Sequence, residues 1–203
     1  MDTEMMTAAP QILEGVLKDS VAGDVAEIGL LGGETFKLLL ALAKPAGKVC
    51  HGFDSFEGMA EPTPDDYDAE GWCNYPKGKF AGHDYDLVAA NVSDNGAYGK
   101  FVMGREFHLY KGWVPEVFAQ ADPGLRFCFV YLDLDHYQPT LDALRWIWPR
   151  MEPGGCLLCD DYLEEIDRLA TKAIKQWVGK ELRSGRVVEV EGPRRQIAFT
   201  KSA

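Results

Sequence analysis

FCFVYLDLDHY at residues 127–137 and GCLLCDDY at residues 155–162 are two apolar runs that each end in paired carboxylates. Between them, apolar side chains recur at helical spacing (Leu141, Leu144, Ile147 and Trp148), and the segment closes at Pro153-Gly154-Gly155. Apolar runs without polar alternation are typical of parallel strands covered on both faces. This stretch therefore predicts a strand–helix–strand unit of the length that a parallel crossover needs.

The carboxylates at the two strand ends are the first candidate site. Neighbouring strands lie about 5 Å apart, so Asp133 and Asp135 would meet Asp160 and Asp161 at one edge of the sheet. Four converging carboxylates repel one another unless some are protonated or a cation lies among them. An all-oxygen ligand set favours Mg²⁺ or Ca²⁺ over zinc. The alternative makes Asp135 and Asp160 helix N-caps and the other two solvated loop acids.

Composition limits the classes of function. The 203 residues predict a single domain, with 46% hydrophobic and 26% charged residues as in globular proteins. A net charge of −11 argues against non-specific nucleic-acid binding. No apolar run reaches the roughly 18 residues of a membrane span, and the N-terminus lacks a signal-peptide pattern. Five cysteines without the spacing of a disulfide framework predict reduced thiols in a cytoplasm. Cys156 and Cys159 are predicted to be core thiols on opposite faces of a strand.

A glycine-rich turn lies near the start of the chain. Residues 24–29 (DVAEIG) predict a buried first strand, and residues 30–35 (LLGGET) lead into a helix over Phe36 to Lys44. Glycines there allow a tight turn and a close backbone approach to a ligand. The spacing is neither G-x-G-x-x-G nor a phosphate loop. A turn with no ligand is the open alternative.

The second strand, Lys48 to Phe53, is followed by acidic residues. An acid in that position, about 25 residues past the glycines, is where a ribose diol is held. Asp54 is the first candidate for this role and Glu57 the second. The glycine turn and this acid together favour an adenosine-containing cofactor.

The third strand, Glu106 to Tyr110, leads to Gly112 and Trp113 on the same edge as Asp54. Trp113 could flank a flat base; a core or interface tryptophan is the alternative. The loop over residues 57–82 is long for a compact domain, and its aromatic side chains favour a lid or substrate loop over disorder. Its acids are expected to form a solvated face.

The remaining segments complete the topology. They predict a short helix around residues 12–17 within an N-terminal segment 1–22, a helix near residues 84–95, an amphipathic helix over residues 164–180, and an antiparallel hairpin from residues 186–191 and 196–200. The whole pattern describes a doubly wound α/β fold, a mostly parallel seven-stranded sheet with a C-terminal antiparallel hairpin. Class I methyltransferases end in such a hairpin, whereas dehydrogenases seldom do.

From about Asp24 to Lys201 the chain resembles the macrocin O-methyltransferase (TylF-type) family, whose members methylate sugar hydroxyls on antibiotics. The resemblance rests on Glu27-Ile28-Gly29 with Gly32-Gly33, Asp54-Ser55-Phe56-Glu57-Gly58, Lys111-Gly112-Trp113-Val114, Leu132-Asp133-Leu134-Asp135-His136-Tyr137, and Pro153-Gly154-Gly155 leading to Asp160-Asp161-Tyr162. The last two motifs together are specific. The chain departs from the family in a short N-terminus, which leaves the acceptor open.

The resemblance implies the class I fold, the cofactor S-adenosylmethionine and an essential Mg²⁺. The implied metal ligands are Asp133, Asp160 and Asp161, and the implied general base is Asp135, with Asp133 as the second candidate. The implied cofactor-binding residues are Glu27, Gly29, Gly32 and Thr35 at the methionine end and Asp54 at the ribose. The predicted cofactor site also includes Ser55, Gly112, Trp113 and Asp133. His136 is a secondary candidate.

The predicted activity is therefore Mg²⁺-dependent O-methylation of a sugar or a sugar-decorated natural product. The predicted partner is a small-molecule acceptor, with no nucleic acid and no membrane, and homo-oligomers are compatible with the sequence. A catechol or other phenolic acceptor is the closest alternative. A nucleotide-dependent oxidoreductase and a non-catalytic cofactor-binding subunit are the others. The missing G-x-G-x-x-G and the four carboxylates argue against the oxidoreductase.

Overall fold

The computed structural model describes residues 8–183, 185–188 and 195–202. The helices are α1 (Ala9–Lys18), α2 (Glu34–Ala43), α3 (Tyr85–Ser93), α4 (Tyr137–Ile147) and α5 (Leu169–Lys180). The strands are β1 (Asp24–Ile28), β2 (Cys50–Asp54), β3 (Phe107–Lys111), β4 (Phe127–Leu132), β5 (Met151–Cys159), β6 (Gly185–Val188) and β7 (Ile197–Lys201).

The strands form one sheet in the order β3-β2-β1-β4-β5-β7-β6. β1 to β5 pair in parallel, and β7 runs antiparallel between β5 and β6. The predicted doubly wound sheet with an antiparallel hairpin is confirmed. Strand order reverses between β1 and β4, and ligands of open α/β sheets bind in the crevice at such a switch point.

Helices cover both faces of the sheet. α1, α2 and α3 pack on one face, and α4 and α5 on the other, where Leu144 and Trp177 are fully or almost fully buried. All six residues of β4 are buried, which explains why its sequence shows no polar alternation. Cys156 and Cys159 are free, buried thiols on opposite faces, as predicted.

Two predicted boundaries are wrong by four or five residues. β5 begins at Met151, so Pro153-Gly154-Gly155, expected to close the preceding helix, already belongs to the strand; the β4–β5 register shifts there. α5 begins at Leu169, five residues after the expected start at Glu164. The reason is local, because the Thr171 hydroxyl accepts from Leu163 N–H and donates to the Asp161 carbonyl, which holds the preceding residues in a turn.

The ends of the chain are described in part. α1 contains the helix expected around residues 12–17, whereas residues 1–7 of the N-terminal segment lie outside the described residues. The same holds for residues 189–194 of the predicted hairpin, whose two strands otherwise pair as expected. Within the described part of the chain, no helix has both the length and the hydropathy that crossing a bilayer requires.

Candidate functional site

One cavity of about 1330 Å³ lies at the carboxyl ends of the strands, over the switch point between β1 and β4. Twelve of the site residues predicted from the sequence border it: Glu27, Gly29, Gly32, Thr35, Asp54, Ser55, Gly112, Trp113, Asp133, Asp135, Asp160 and Asp161. Glu57, the second ribose candidate, is not among the lining residues and lies 3.9 Å from Lys111 in an exposed ion pair. The placement follows from topology, since parallel strands bring their loops to one edge.

Gly29 lets the first turn approach the end of β4. Its φ is +88°, and a Cβ placed there would lie 1.8 Å from the carbonyl oxygen of Asp133. The backbone is held in this position because Gly29 N–H donates to Phe53 O and Asp133 N–H donates to Ile28 O, each at 2.9 Å. Only glycine fits at this position, because the turn lies directly against the backbone of Asp133.

Asp54 fixes the glycine turn from the neighbouring strand. Its Oδ2 accepts from the N–H groups of Leu30 and Leu31 at 2.6 and 3.3 Å, and its Oδ1 accepts from Phe56 N–H at 2.7 Å. The carboxylate also borders the cavity. The structure therefore gives Asp54 a role in shaping the turn, and the expected contact with a ribose stays a prediction.

Glu27 is a buried carboxyl group at the base of the cavity. Its side chain is only 2% exposed, and burial together with Asp133 and Asp54 raises its pKa well above the ordinary value. Among the described residues, its Oε2 has no hydrogen-bond partner. A buried carboxyl in this state suits a ligand that brings a cationic or donor group.

Three carboxylates meet at the ends of β4 and β5. One oxygen each from Asp133, Asp135 and Asp161 lies within 4.8 Å of the others. Burial, a hydrogen bond with Asp161 and the charge of Asp133 raise the pKa of Asp135 well above its ordinary range. Like charges held this close favour a proton or a cation between them, and the all-oxygen donor set fits a hard divalent ion such as Mg²⁺.

Asp160, the expected third ligand, lies outside that group of three. It is buried, its Oδ2 accepts from the Tyr131 hydroxyl at 2.6 Å, and its Oδ1 accepts from Gln196 Nε2 at 3.2 Å. The alternative in which Asp135 and Asp160 cap helices is wrong. His136 occupies the N-cap position of α4 and Arg168 that of α5.

Asp66 anchors the long loop over residues 57–82 to the start of α4. It is fully buried; its Oδ1 accepts from Tyr137 N–H at 2.7 Å, and its Oδ2 accepts from the backbone and hydroxyl of Thr63. The expectation of a solvated acidic face is wrong for this residue. The spacing Thr63-x-x-Asp66 is a capping box that could have revealed it.

Tyr75 of the same loop reaches the carboxylate group. Its hydroxyl interacts with the Asp135 carboxyl and acts to lower the pKa of that group, and its carbonyl accepts from the ring Nε2 of His136 at 2.8 Å. His136 is buried, and its hydrogen bond to the Tyr75 carbonyl ties the loop to the start of α4. Trp113 is 39% exposed at the cavity wall and is not a core residue. From the sequence, Tyr75 was identified only as one of the loop aromatics. Tyr131 and Gln196 were not predicted as site residues, because their partners are distant in the chain.

Comparisons with known proteins agree with this geometry. Residues 2–181 match the family model described as Macrocin-O-methyltransferase (TylF). The chain is 30% identical over 185 residues to the 8-demethyl-8-(2,3-dimethoxy-alpha-L-rhamnosyl)-tetracenomycin-C 4'-O-methyltransferase of Streptomyces olivaceus, covering 89% of this chain and 67% of the relative. It is 27% identical over 195 residues to the mycinamicin III 3''-O-methyltransferase of Micromonospora griseorubida, covering 94% and 73%.

A solved structure supports the fold. The O-methyltransferase NovP superposes with a TM-score of 0.75 at 20% sequence identity, covering 96% of this chain and 78% of that one. At this identity the likeness concerns the fold alone.

Proposed function

The chain belongs to the macrocin O-methyltransferase family of S-adenosylmethionine-dependent enzymes, and we propose that it methylates a hydroxyl of a sugar or sugar-bearing natural product with the help of Mg²⁺. The observation that carries the proposal is a single cavity in which the glycine turn and the acidic strand ends meet. The turn supplies a cofactor site and the carboxylates supply an acceptor site.

The cofactor side of the cavity suits S-adenosylmethionine, which supplies an electrophilic sulfonium methyl group. Glu27 would receive the amino group of the methionine part, since an adjacent positive charge favours its ionised form. Gly29, Gly32 and Thr35 would border that end, and Asp54 with Ser55 would face the ribose. Gly112 and Trp113 would border the adenine, with the exposed part of the indole against the flat base.

The acceptor side would hold Mg²⁺ on Asp133, Asp160 and Asp161. When bound, such an ion supplies Lewis acidity that lowers the pKa of an acceptor hydroxyl. Asp133 and Asp161 are already together, and Asp160 lies in the adjacent position of the same strand end. Asp135 then accepts the proton from the hydroxyl as the general base, and Asp133 is the second candidate.

Residues of the long loop would position the acceptor at the carboxylates. The loop over residues 57–82, held at Asp66 and His136, keeps Tyr75 over the carboxylates and narrows the space for an acceptor. Alignment of a hydroxyl with a methyl group can itself supply several kcal/mol of rate enhancement. The two relatives named above are O-methyltransferases of glycosylated natural products, which supports a sugar acceptor here.

Calorimetric titration with S-adenosylhomocysteine, in EDTA and again with excess Mg²⁺, is the first test. We expect binding in both conditions, with Mg²⁺ binding as a separate event. A panel of deoxysugar glycosides and catechols should then show methylation of the glycosides. If S-adenosylhomocysteine bound neither in EDTA nor with Mg²⁺, the assignment of the cofactor site would be refuted. Turnover of catechols alone would refute the sugar acceptor.

Replacing Asp160 with Asn tests the metal assignment. We expect loss of Mg²⁺ binding and of turnover, with S-adenosylhomocysteine binding kept, because the substitution removes one anionic ligand and leaves the cofactor side intact. Asp135→Asn should lower turnover by about 10²- to 10⁴-fold, as expected for a lost general base, with S-adenosylhomocysteine binding kept. Asp86→Asn, at an exposed position outside the cavity, is the control. Full activity of Asp160→Asn would exclude its role as a ligand.

A further inference from the structure

We propose that Gln196 is a positioning residue for the metal site: together with Tyr131 it fixes the carboxylate of Asp160 and connects it to the start of α1. The inference rests on the proposed Mg²⁺-dependent function. It assigns a role to a residue on the C-terminal hairpin, whose sequence shows only strand alternation.

The register of the sheet places these side chains together. Cys159 pairs with Ile197 in the antiparallel β5–β7 ladder, so Asp160 and Gln196 are the next pair of opposing positions. Tyr131 pairs with Leu158 in the parallel β4–β5 ladder. Side chains alternate along strands, so Tyr131, Asp160 and Gln196 all point to the face that α1 covers.

The hydrogen bonds determine the orientation of the Gln196 amide. Its Oε1 accepts from the backbone N–H of Ala8, just before α1, at 3.0 Å. A backbone N–H can only donate, so the amide oxygen must face Ala8 and the NH₂ group must face the carboxylate. Nε2 accordingly lies 3.2 Å from Oδ1 of Asp160 and 3.4 Å from the Tyr131 hydroxyl.

Asp160 therefore receives one donor on each oxygen, from Tyr131 at 2.6 Å and from Gln196 at 3.2 Å. Two donors restrict the rotation of the carboxylate, and they do not use up its capacity to accept. The Tyr131 hydroxyl also lies 3.4 Å from Oδ2 of Asp133, so the same network reaches a second predicted ligand. Partners of this kind orient metal-binding carboxylates, and their removal typically costs about 10- to 100-fold in metal affinity.

The test measures Mg²⁺ and S-adenosylhomocysteine affinities of wild type and Gln196→Leu by calorimetry. We expect the variant to bind Mg²⁺ about 10-fold more weakly, with the S-adenosylhomocysteine affinity changed by less than about 2-fold. Gln176→Leu is the matched control, because Gln176 accepts from the Tyr137 hydroxyl at 2.9 Å in another tyrosine–glutamine pair that does not touch the carboxylates. Its Mg²⁺ affinity should equal that of wild type.

Tyr131→Phe is the second variant, for the case that Gln196→Leu fails to fold; it removes the other donor and should weaken Mg²⁺ binding by a similar factor. Unchanged Mg²⁺ affinity in either folded variant, or equal losses in Gln196→Leu and Gln176→Leu, would overturn the inference. The failure of the proposed function is separate and is read from wild type: S-adenosylhomocysteine binding without Mg²⁺ binding would refute the Mg²⁺ dependence and, with it, the role of Gln196.

Discussion

The two sides of the cavity are held together differently. On the cofactor side, the turn after β1 is fixed through its own backbone: two of its N–H groups donate to the Asp54 carboxylate, and Gly29 lies against the carbonyl of Asp133. On the acceptor side, single side chains connect distant parts of the chain, such as Asp66 to the start of α4 and Tyr131 to Asp160.

This difference has a consequence for mutations. The contact between Gly29 and the Asp133 carbonyl involves backbone atoms, so a substitution at Gly29 disturbs the fold and the ligand site together. On the acceptor side, one side chain can be removed while the backbone around it stays in place. We expect stability and cofactor binding to change together when the backbone of the glycine turn is disturbed, as at Gly29. Removal of a single side-chain group should instead change ligand binding, metal binding or turnover without disturbing the backbone.

Gly29→Ala should have the largest effect. The added Cβ would meet the Asp133 carbonyl oxygen at 1.8 Å at a φ of +88°, so β1 and β4 would have to move apart. We expect a loss of about 3 kcal/mol or more in the free energy of unfolding, and loss of S-adenosylhomocysteine binding. Denaturant unfolding and calorimetry measure both.

Gly71→Ala is the matched control for that substitution. Gly71 also has a positive φ, +80°, but no atom lies within 4 Å of its added Cβ. Gly71→Ala should lower the free energy of unfolding by only about 1 kcal/mol, which is the cost of a left-handed backbone conformation. Equal losses in the two variants would show that the close approach to Asp133 is not what Gly29 provides.

Glu27→Gln should separate stability from cofactor affinity at one position on the cofactor side. The folded protein raises the pKa of Glu27 above its ordinary 4.5, so it binds more protons than the unfolded chain above that pH. The stability of the cofactor-free protein therefore falls as pH rises from about 4.5 towards the raised pKa, and the variant should lose part of this fall. The pKa of Asp135 is also raised, so this residue contributes a decrease in stability of the same sign, and part of the pH dependence persists in the variant.

The same variant should bind S-adenosylhomocysteine about 10- to 100-fold more weakly, as expected when a charged hydrogen-bond partner is lost. Thermal unfolding across pH and calorimetry are the measurements, and Glu14→Gln on the exposed face of α1 is the control. Unaltered affinity would contradict the assignment of Glu27 to the methionine end, and an unaltered pH slope would contradict its protonation.

The sequence predicted the positions of the glycine turn and of Asp54 at the edge of the sheet for a physical reason. A continuous apolar run such as Phe127–Leu132 specifies a strand buried on both faces, and the loops at the carboxyl ends of parallel strands meet at one edge. A glycine at the first turn and an acid at the end of β2 then follow from local position. These rules need no knowledge of which side chains touch.

The acceptor side could be predicted only in part. The sequence indicates that carboxylates gather there, but the orientation of Asp160 depends on Tyr131 and Gln196, 29 and 36 residues away. Asp66 is buried because it meets Tyr137, 71 residues further along the chain. Pairings over such distances depend on the register of strands and the path of a loop, which local patterns do not specify.

Tyr75→Phe should have the smallest effect and is the sharpest test of the contrast. It removes the hydroxyl that interacts with Asp135 and keeps the ring, while the Tyr75 carbonyl still accepts from His136. A polar contact of this kind is worth about 0.5–1.5 kcal/mol, so kcat should fall by about 2- to 10-fold and the free energy of unfolding by no more than that amount, while the S-adenosylhomocysteine affinity stays unchanged. Tyr67→Phe, on the exposed part of the same loop, should leave kcat unaltered. If Tyr75→Phe instead weakened cofactor binding as much as turnover, the two sides of the cavity would not be separable by single side chains.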